Sequence, residues 1–391
     1  MNQQKDIIRD ARVLGTPKML LLGLQHMFAM FGATILVPIL VNSYFQSTSQ
    51  VLSVQVTLFC AGFGTLFFHL CTKFKVPAFL GSSFAFLGGF SSVAALDTGI
   101  FANMADKEKL QYACGGIVVA GLLYLILALI IRCVGVKRVM RFLPPVVTGP
   151  IIICIGLSLA PSAVSNASTN WLIAIVALAV IIIFNIWGKG MFKIIPILMG
   201  VVIAYAVAVV LNALGIKNPD GSVIINFAPV AQAGIVGLPP LQLCKFDLTS
   251  IMIMAPIAIA TMMEHVGDIS AISATVGENF IEDPGLHRTM LGDGLACIVA
   301  GLIGGPPVTT YSEVTGAISL TKITDPAVIR IAAVSGIVFS VFGKVSALLK
   351  SIPAAVLGGI MLLLFGTIAA VGINSLIQNR TNLGDTRNLI I

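Results

Sequence analysis

Charge is what this sequence has least of. Asp, Glu, Lys and Arg make up 10% of its 391 residues, against about a quarter in soluble globular domains. Too little charge remains to cover a solvated surface, so nucleic-acid binding, cytosolic catalysis and secreted disulfide scaffolds drop out together. Cysteine adds no framework. The seven cysteines (Cys60, Cys71, Cys114, Cys133, Cys154, Cys244 and Cys297) are an odd number lying mostly within apolar runs. With no CxxC pair and no His cluster at metal-ligand spacing, they read as small buried hydrophobes, and neither a metal nor a cofactor is expected. The opening MNQQKDIIRDARVLGTPK lacks the short apolar core and cleavage site of a signal peptide, so the first span is expected to be retained.

Apolar residues are what the chain has in abundance. They form 57% of it, with a mean hydropathy of +1.02, which places the chain in a lipid bilayer. A helical span needs about 20 apolar residues. Twelve candidates fall at about 18–41, 51–71, 77–95, 112–134, 143–160, 171–188, 194–214, 249–275, 288–304, 306–320, 326–348 and 353–377. The third (PAFLGSSFAFLGGFSSVAAL) and tenth (GPPVTTYSEVTGAISL) are interrupted by Gly, Pro, Ser and Thr, which predicts extended backbone within both. Basic residues set the orientation. With the N-terminus inside, the first half puts Lys5, Arg9, Arg12, Lys18, Lys73, Lys75, Arg132, Lys137, Arg138, Arg141, Lys189 and Lys193 on the inner face. Only Lys107, Lys109, Lys217 and Lys245 fall outside. The second half is thinner, with Lys344 and Lys350 outside against the rule. The net charge of +7 is therefore read as topology rather than as affinity for an acidic partner.

Three matches recur in the same order: Gln25-His26 with Glu264-His265, Ser82-Ser83-Phe84 with Thr309-Thr310-Tyr311, and RFLPPVVTGPI (141–151) with KSIPAAVLGGI (350–360). Duplication follows, and an odd number of spans per repeat makes the second copy inverted, as in many secondary transporters. The first copy continues through two spans beyond its 141–151 motif. The second has NRTNLGDTRNLII left after span twelve. The expectation is a shortened chain lacking spans thirteen and fourteen; the alternative is a natural twelve-span protein with unequal repeats.

Acidic residues inside spans carry the chemistry. Glu264 and Asp268 lie four apart on one helix face, and Glu313 lies in the broken tenth span, with no Lys or Arg in those spans. Intramembrane acids without a cation are the usual mark of ion or proton pathways; the competing reading is packing, with each acid satisfied by a nearby Ser, Thr or backbone N–H. Unwound backbone and half-helix N-termini at the breaks supply donors. Donors beside carboxylate acceptors suit a small planar molecule bearing N–H and C=O groups, with Phe84 and Tyr311 available to pack on its face. His26 and His265 are expected to support the ligating groups rather than touch the ligand, and Gln25 goes with them. Asp293 in LGDGL resembles the Gly-rich surroundings of an intramembrane aspartyl protease, but the partner Asp motif is missing. Gly23, Gly32, Gly116, Gly121, Gly149 and Gly156 read as close-packing positions between helices.

LQHMFAMFGATILVPIL (24–40), VPAFLGSSFAF (76–86), EHVGDISA (264–271), EDPGLHRTMLGDGLA (282–296) and PVTTYSEVTGAISLTK (307–322) together resemble the nucleobase-ascorbate transporter family, also called the second nucleobase-cation symporter class. The resemblance is to its uracil-xanthine permease branch and runs from about residue 15 to the end. It implies an all-α polytopic membrane protein with a seven-plus-seven inverted-repeat transporter fold and two broken spans containing short strands, the last two spans being absent here. It also implies a core domain at 15–134 and 248–349, and a gate domain at 135–215 and 350–391. Glu264 would accept hydrogen bonds from nucleobase N–H groups. Glu313 would lie beside the ligand next to Ser312 and Tyr311, with Phe84, following Ser83, opposite. Uracil permeases usually have His where this chain has Asp268, as purine-transporting relatives tend to, whereas Glu313 is of the pyrimidine type. Val314 replaces a usual Asn, while Gly316, Thr321 and Lys322 fit the pattern.

The expected function is proton-coupled import of a nucleobase across the cytoplasmic membrane. Uracil is the first expectation and xanthine or another purine the second; a channel or an intramembrane enzyme is the rival from another class. Glu264 is the principal ligand acceptor, Glu313 a second acceptor that donates when protonated, and Asp268 the proton carrier or the organiser of Glu264. Two carboxylates one helical turn apart in a low dielectric disfavour simultaneous ionisation. The resemblance adds a homodimer.

Overall fold

The computed structural model describes all residues except 1–7, 46–50, 141–144, 190, 191, 193, 194, 379, 383 and 391. Pro144 of the repeated motif and the basic residues Lys5, Arg141 and Lys193 lie outside the described residues. The first half runs α1 (Thr16–Tyr44), α2 (Val54–Cys71), β1 (Leu80–Ser82), α3 (Leu87–Ala94), α4 (Asp106–Val134), a short α5 (Val136–Met140), α6 (Pro145–Ser168), α7 (Trp171–Trp187) and α8 (Pro196–Ala213). A short α9 (Ala228–Gln232) lies in the connection. The second half runs α10 (Leu248–Met254), α11 (Ile257–Val276), α12 (Leu286–Leu302), β2 (Val308–Thr310), α13 (Ser312–Thr321), α14 (Pro326–Ser340), α15 (Gly343–Lys350), α16 (Ala354–Gln378) and α17 (Thr386–Ile390). Among the described residues, seven helical stretches are long and apolar enough to cross a bilayer, and α7 and α14 are shorter apolar helices.

Both interrupted spans are strand followed by helix, as their Gly, Pro and Ser content predicts. β1 and β2 pair antiparallel, with Leu80 opposite Thr310, Gly81 opposite Thr309 and Ser82 opposite Val308. Inside a bilayer every backbone polar group needs a protein partner, and the pairing is extended to meet that need. The Ser83 N–H donates to the Pro307 carbonyl (2.9 Å) and the Tyr311 N–H to the Phe79 carbonyl (3.0 Å). The Thr65 hydroxyl accepts the Leu80 N–H at 2.8 Å. Gly81 is needed because the Tyr311 ring lies where a Cβ would stand.

Two expected spans are not continuous. The eighth breaks between Met254 and Ile257, where Pro256 can offer no N–H to the ladder and stands instead at the start of α11. The eleventh, expected through residue 348, ends at Ser340. Phe342 is extended and bridges Val236, while the Gly343 and Gly237 N–H groups bond the Ile235 and Val341 carbonyls. The connection before α10 thus takes up the chain, and α15 is a separate helix.

Glycines set how closely the helices approach. On α6, Gly149 meets Leu376 and Gly372 of α16, and Gly156 meets Phe365 and Ala369. On α4, Gly121 faces Gly294 of α12 and Gly116 faces Met254 of α10. On α1, Gly23 lies against α14 and Gly32 against α8. All six glycines singled out in the sequence are therefore close-packing positions. Through these contacts α6, α7, α8 and α16 pack on one another, and α4 with α12, α2 with α12 and α14, and α1 with α14 form a second group.

Candidate functional site

Between the two groups of helices lies a cavity of about 240 Å³, small for a ligand pocket. Its apolar wall comes from α6 (Ile152, Ile155) and α16 (Leu364, Thr367, Ile368, Val371). The opposite wall is polar: Ser83, Phe84 and Ala85 between β1 and α3, Thr309 to Glu313 across the β2–α13 junction, and Glu264 with Ala260 from α11. The sequence order explains the mixture. Each broken span delivers a strand end and a helix start to one point, so backbone N–H groups that lack intrahelical partners converge beside two carboxylates. Glu313 stands in the first turn of α13, where the helix dipole favours negative charge.

Of the residues expected in the site, Glu264, Glu313, Phe84, Ser83, Ser312 and Tyr311 all line this cavity. Glu264 is exposed to the cavity, and Glu313 is partly so. Among the described residues, neither has an ion-pair partner. The Ser83 hydroxyl is buried without a hydrogen-bond partner. Tyr311 is held away from free stacking: its hydroxyl donates to the Ser82 carbonyl at 2.9 Å, pulling the ring onto Gly81. Phe84 is partly exposed to the space.

Asp268 stands behind the wall. It accepts from the Ser312 hydroxyl at 2.7 Å and from the Thr310 hydroxyl at 3.2 Å, and is 6% exposed. Thr310 is also 3.1 Å from His265 Nδ1, and His265 Nε2 is 3.0 Å from the Thr289 hydroxyl. Asp293 Oδ2 lies 2.9 Å from the same Nδ1. Neither Asp293 oxygen makes an aligned hydrogen bond. α11, β2, α12 and α13 are thereby tied together beneath the cavity. Thr310, Thr289 and Asp293 were not anticipated in this role. The available signal was an acid within an apolar span, Asp293, one helix away from an intramembrane histidine.

Gln25 and His26 are not brought to the cavity. His26 Nδ1 bonds the Leu22 carbonyl of its own helix at 2.9 Å, and Nε2 is buried without a partner. α1 reaches the strands through Thr34, whose carbonyl accepts the Ser82 hydroxyl at 2.8 Å. Eight residues of helix, about 12 Å at 1.5 Å per residue, separate Thr34 from His26.

Comparison with known proteins points the same way. The family model Xan_ur_permease, described as a permease family, matches residues 17–391. The "Probable uracil permease" of Haemophilus influenzae is 41% identical over 378 residues, covering 94% of this chain and 84% of that protein. The "Uracil permease" of Bacillus caldolyticus is 40% identical over 406 residues, covering 100% of this chain and 86% of that protein. Among solved structures, the transmembrane domain of the cyanobacterial bicarbonate transporter BicA superposes with a TM-score of 0.65 at 15% identity, covering 92% of this chain and 96% of that one. Murine Slc26a9 in its inward-facing state gives 0.63 at 12%, covering 94% and 63%. At such identities the last two show the fold alone, that of inverted-repeat transporters.

Proposed function

The chain belongs to the nucleobase-ascorbate transporter family of multi-pass membrane permeases, and from that premise we propose that it imports uracil across the cytoplasmic membrane together with a proton. The observation that carries the reading is the cavity in which Glu264 and Glu313, neither ion-paired among the described residues, meet backbone donors and the unpaired Ser83 hydroxyl. Uracil presents two N–H donors and two carbonyl acceptors around one flat ring. Glu264 takes an N–H group. Glu313, when protonated, donates to a carbonyl, and when ionised accepts a second N–H. Ser83 and the amides before α3 and α13 complete the ring of partners, and Phe84 packs on a face.

Proton coupling follows from the charges. Two carboxylates in a small, partly apolar cavity repel each other, and bound N–H donors favour the ionised form of the acceptor they reach. A proton on the remaining carboxylate lets the loaded site move with less charge through the membrane. Asp268, fixed by Ser312 and Thr310, holds the α13 start against α11 and so sets where Glu313 stands relative to Glu264; it is the candidate for the proton itself. Sliding of α6, α7, α8 and α16 as a gate along the rest would expose the cavity to each side in turn. In this reading the N-terminus is cytoplasmic, and the chain works as a homodimer.

Uptake of labelled uracil by cells expressing the protein, challenged with excess xanthine and repeated across external pH and with a protonophore, tests the substrate and the coupling. Saturable accumulation that uracil blocks, xanthine does not, and the protonophore collapses is the expected result. Competition by xanthine alone would move the substrate to the purines, and ohmic current through reconstituted protein would replace transport by a channel.

A further inference from the structure

A second cavity, of about 510 Å³, opens on the outer surface between α1 and α14, far simpler in composition than the first. At one end stand Arg12 and Arg330; apart from Ser335 the rest is apolar, chiefly Met19 and Leu20 of α1 and Ile331, Val334 and Val338 of α14. Arg330, Val334 and Val338 are four residues apart, so they lie along one face of α14. Val334 and Val338 are 49% and 50% exposed, whereas Ala332 and Ala333 on the other side of the helix are 0% exposed. From Arg330 to Val338 the helix climbs about 12 Å, close to the roughly 15 Å half-thickness of a bilayer's hydrocarbon.

The charged end is held in place. Asp325 caps α14 through the Ala327 N–H and also accepts the Ala11 N–H, both at 2.8 Å. Ile8 bridges Ile323, and Ala11 packs on Val328 and Met19. These contacts fix the short helix carrying Arg12 beside the start of α14. Arg330 lies over the Phe74 ring at 5.1 Å. Among the described residues, no carboxylate forms an ion pair with Arg12 or Arg330.

We propose that this groove seats one anionic phospholipid from the leaflet on the N-terminal side, its phosphate bridging Arg12 and Arg330 and one acyl chain lying along the exposed face of α14. A planar guanidinium pair matches phosphate oxygens in geometry and charge. The apolar channel continues from that pair in the direction an acyl chain takes into the membrane. A zwitterionic headgroup would bring its own cation against two others, so the site discriminates by charge as well as by shape.

The test is native mass spectrometry of the delipidated full chain in detergent, titrated with phosphatidylglycerol or phosphatidylcholine. Phosphatidylglycerol should be retained in preference. The double variant Arg12→Gln/Arg330→Gln should weaken it about 30-fold and Arg12→Gln alone about fivefold, from the attraction of one anionic lipid to each basic residue. Arg12 is exposed, so the single variant leaves the fold intact. Val334→Trp keeps both arginines but fills the channel and should also displace the lipid. Equal retention of the two lipids by the natural chain would overturn the proposal. So would unchanged phosphatidylglycerol binding in both Arg12→Gln and Val334→Trp, which would mark the lipid as ordinary solvent of the bilayer-facing surface.

Discussion

Replacing Asp268 by Asn separates substrate binding from proton coupling. The carboxylate has one oxygen on the Ser312 hydroxyl at 2.7 Å and the other on the Thr310 hydroxyl at 3.2 Å. Asn keeps an acceptor for Ser312 but sets an amide N–H₂ against Thr310, whose hydroxyl must turn while His265 still approaches it from the far side at 3.1 Å. One hydrogen bond to a charged group, worth about 1.5–3 kcal/mol, is lost and a neutral one of about 0.5–1.5 kcal/mol replaces it. The net cost is about 1–2 kcal/mol, which lowers uracil affinity about 5- to 30-fold if all of it falls on the bound state. Binding should therefore remain measurable by scintillation proximity with purified protein. An Asn cannot carry the proton, so accumulation in whole cells should lose its dependence on external pH and fall to equilibration. Normal concentration of uracil by Asp268→Asn at every pH tested would refute the assignment and leave the proton on Glu313 or another group.

Glu264→Gln should cut uracil affinity by about 100-fold or more, since an amide replaces an acceptor oxygen by a donor and cannot ionise; equilibrium binding decides it, and affinity near that of the natural chain would remove Glu264 from the site. Ser83→Ala removes a buried hydroxyl that has no hydrogen-bond partner among the described residues, so thermal stability should hold or rise while affinity falls about fivefold. Loss of stability with affinity unchanged would assign Ser83 to packing alone. Thr65→Val strips the Leu80 N–H of its 2.8 Å acceptor and should lower the unfolding free energy by about 1–3 kcal/mol, seen as a reduced melting temperature in detergent. Gly156→Val places a Cβ 2.6 Å from the Phe365 carbonyl, and the overpacking should cost about 1–3 kcal/mol by the same measurement.

Much of the architecture was legible in the sequence because bilayer solvation leaves few choices. Long apolar runs become helices, and Gly, Pro and Ser inside a run mark where the backbone leaves the helix, as at 80–82 and 308–310. Small residues at helix contacts follow from the same constraint. Glu264, Asp268 and Glu313 could be singled out because an acid within lipid has no ordinary reason to be there. Which of them face the cavity could not be read that way. That Glu264 and Glu313 open into the cavity while Asp268 lies behind it on Ser312 and Thr310 depends on the rotation of α11 and on the antiparallel register of two strands far apart in the chain, Leu80 against Thr310 and Ser82 against Val308. Spacing along the chain is silent about both. The same holds for His265, which gains Thr289 and Asp293 from α12, and for His26, whose kinship with His265 in the repeat does not carry it to the cavity. The breaks at Pro256 and Phe342 were missed for a related reason: hydropathy records whether a segment can lie in lipid, whereas the chain's path there is fixed by partners for the backbone, which only the folded molecule supplies.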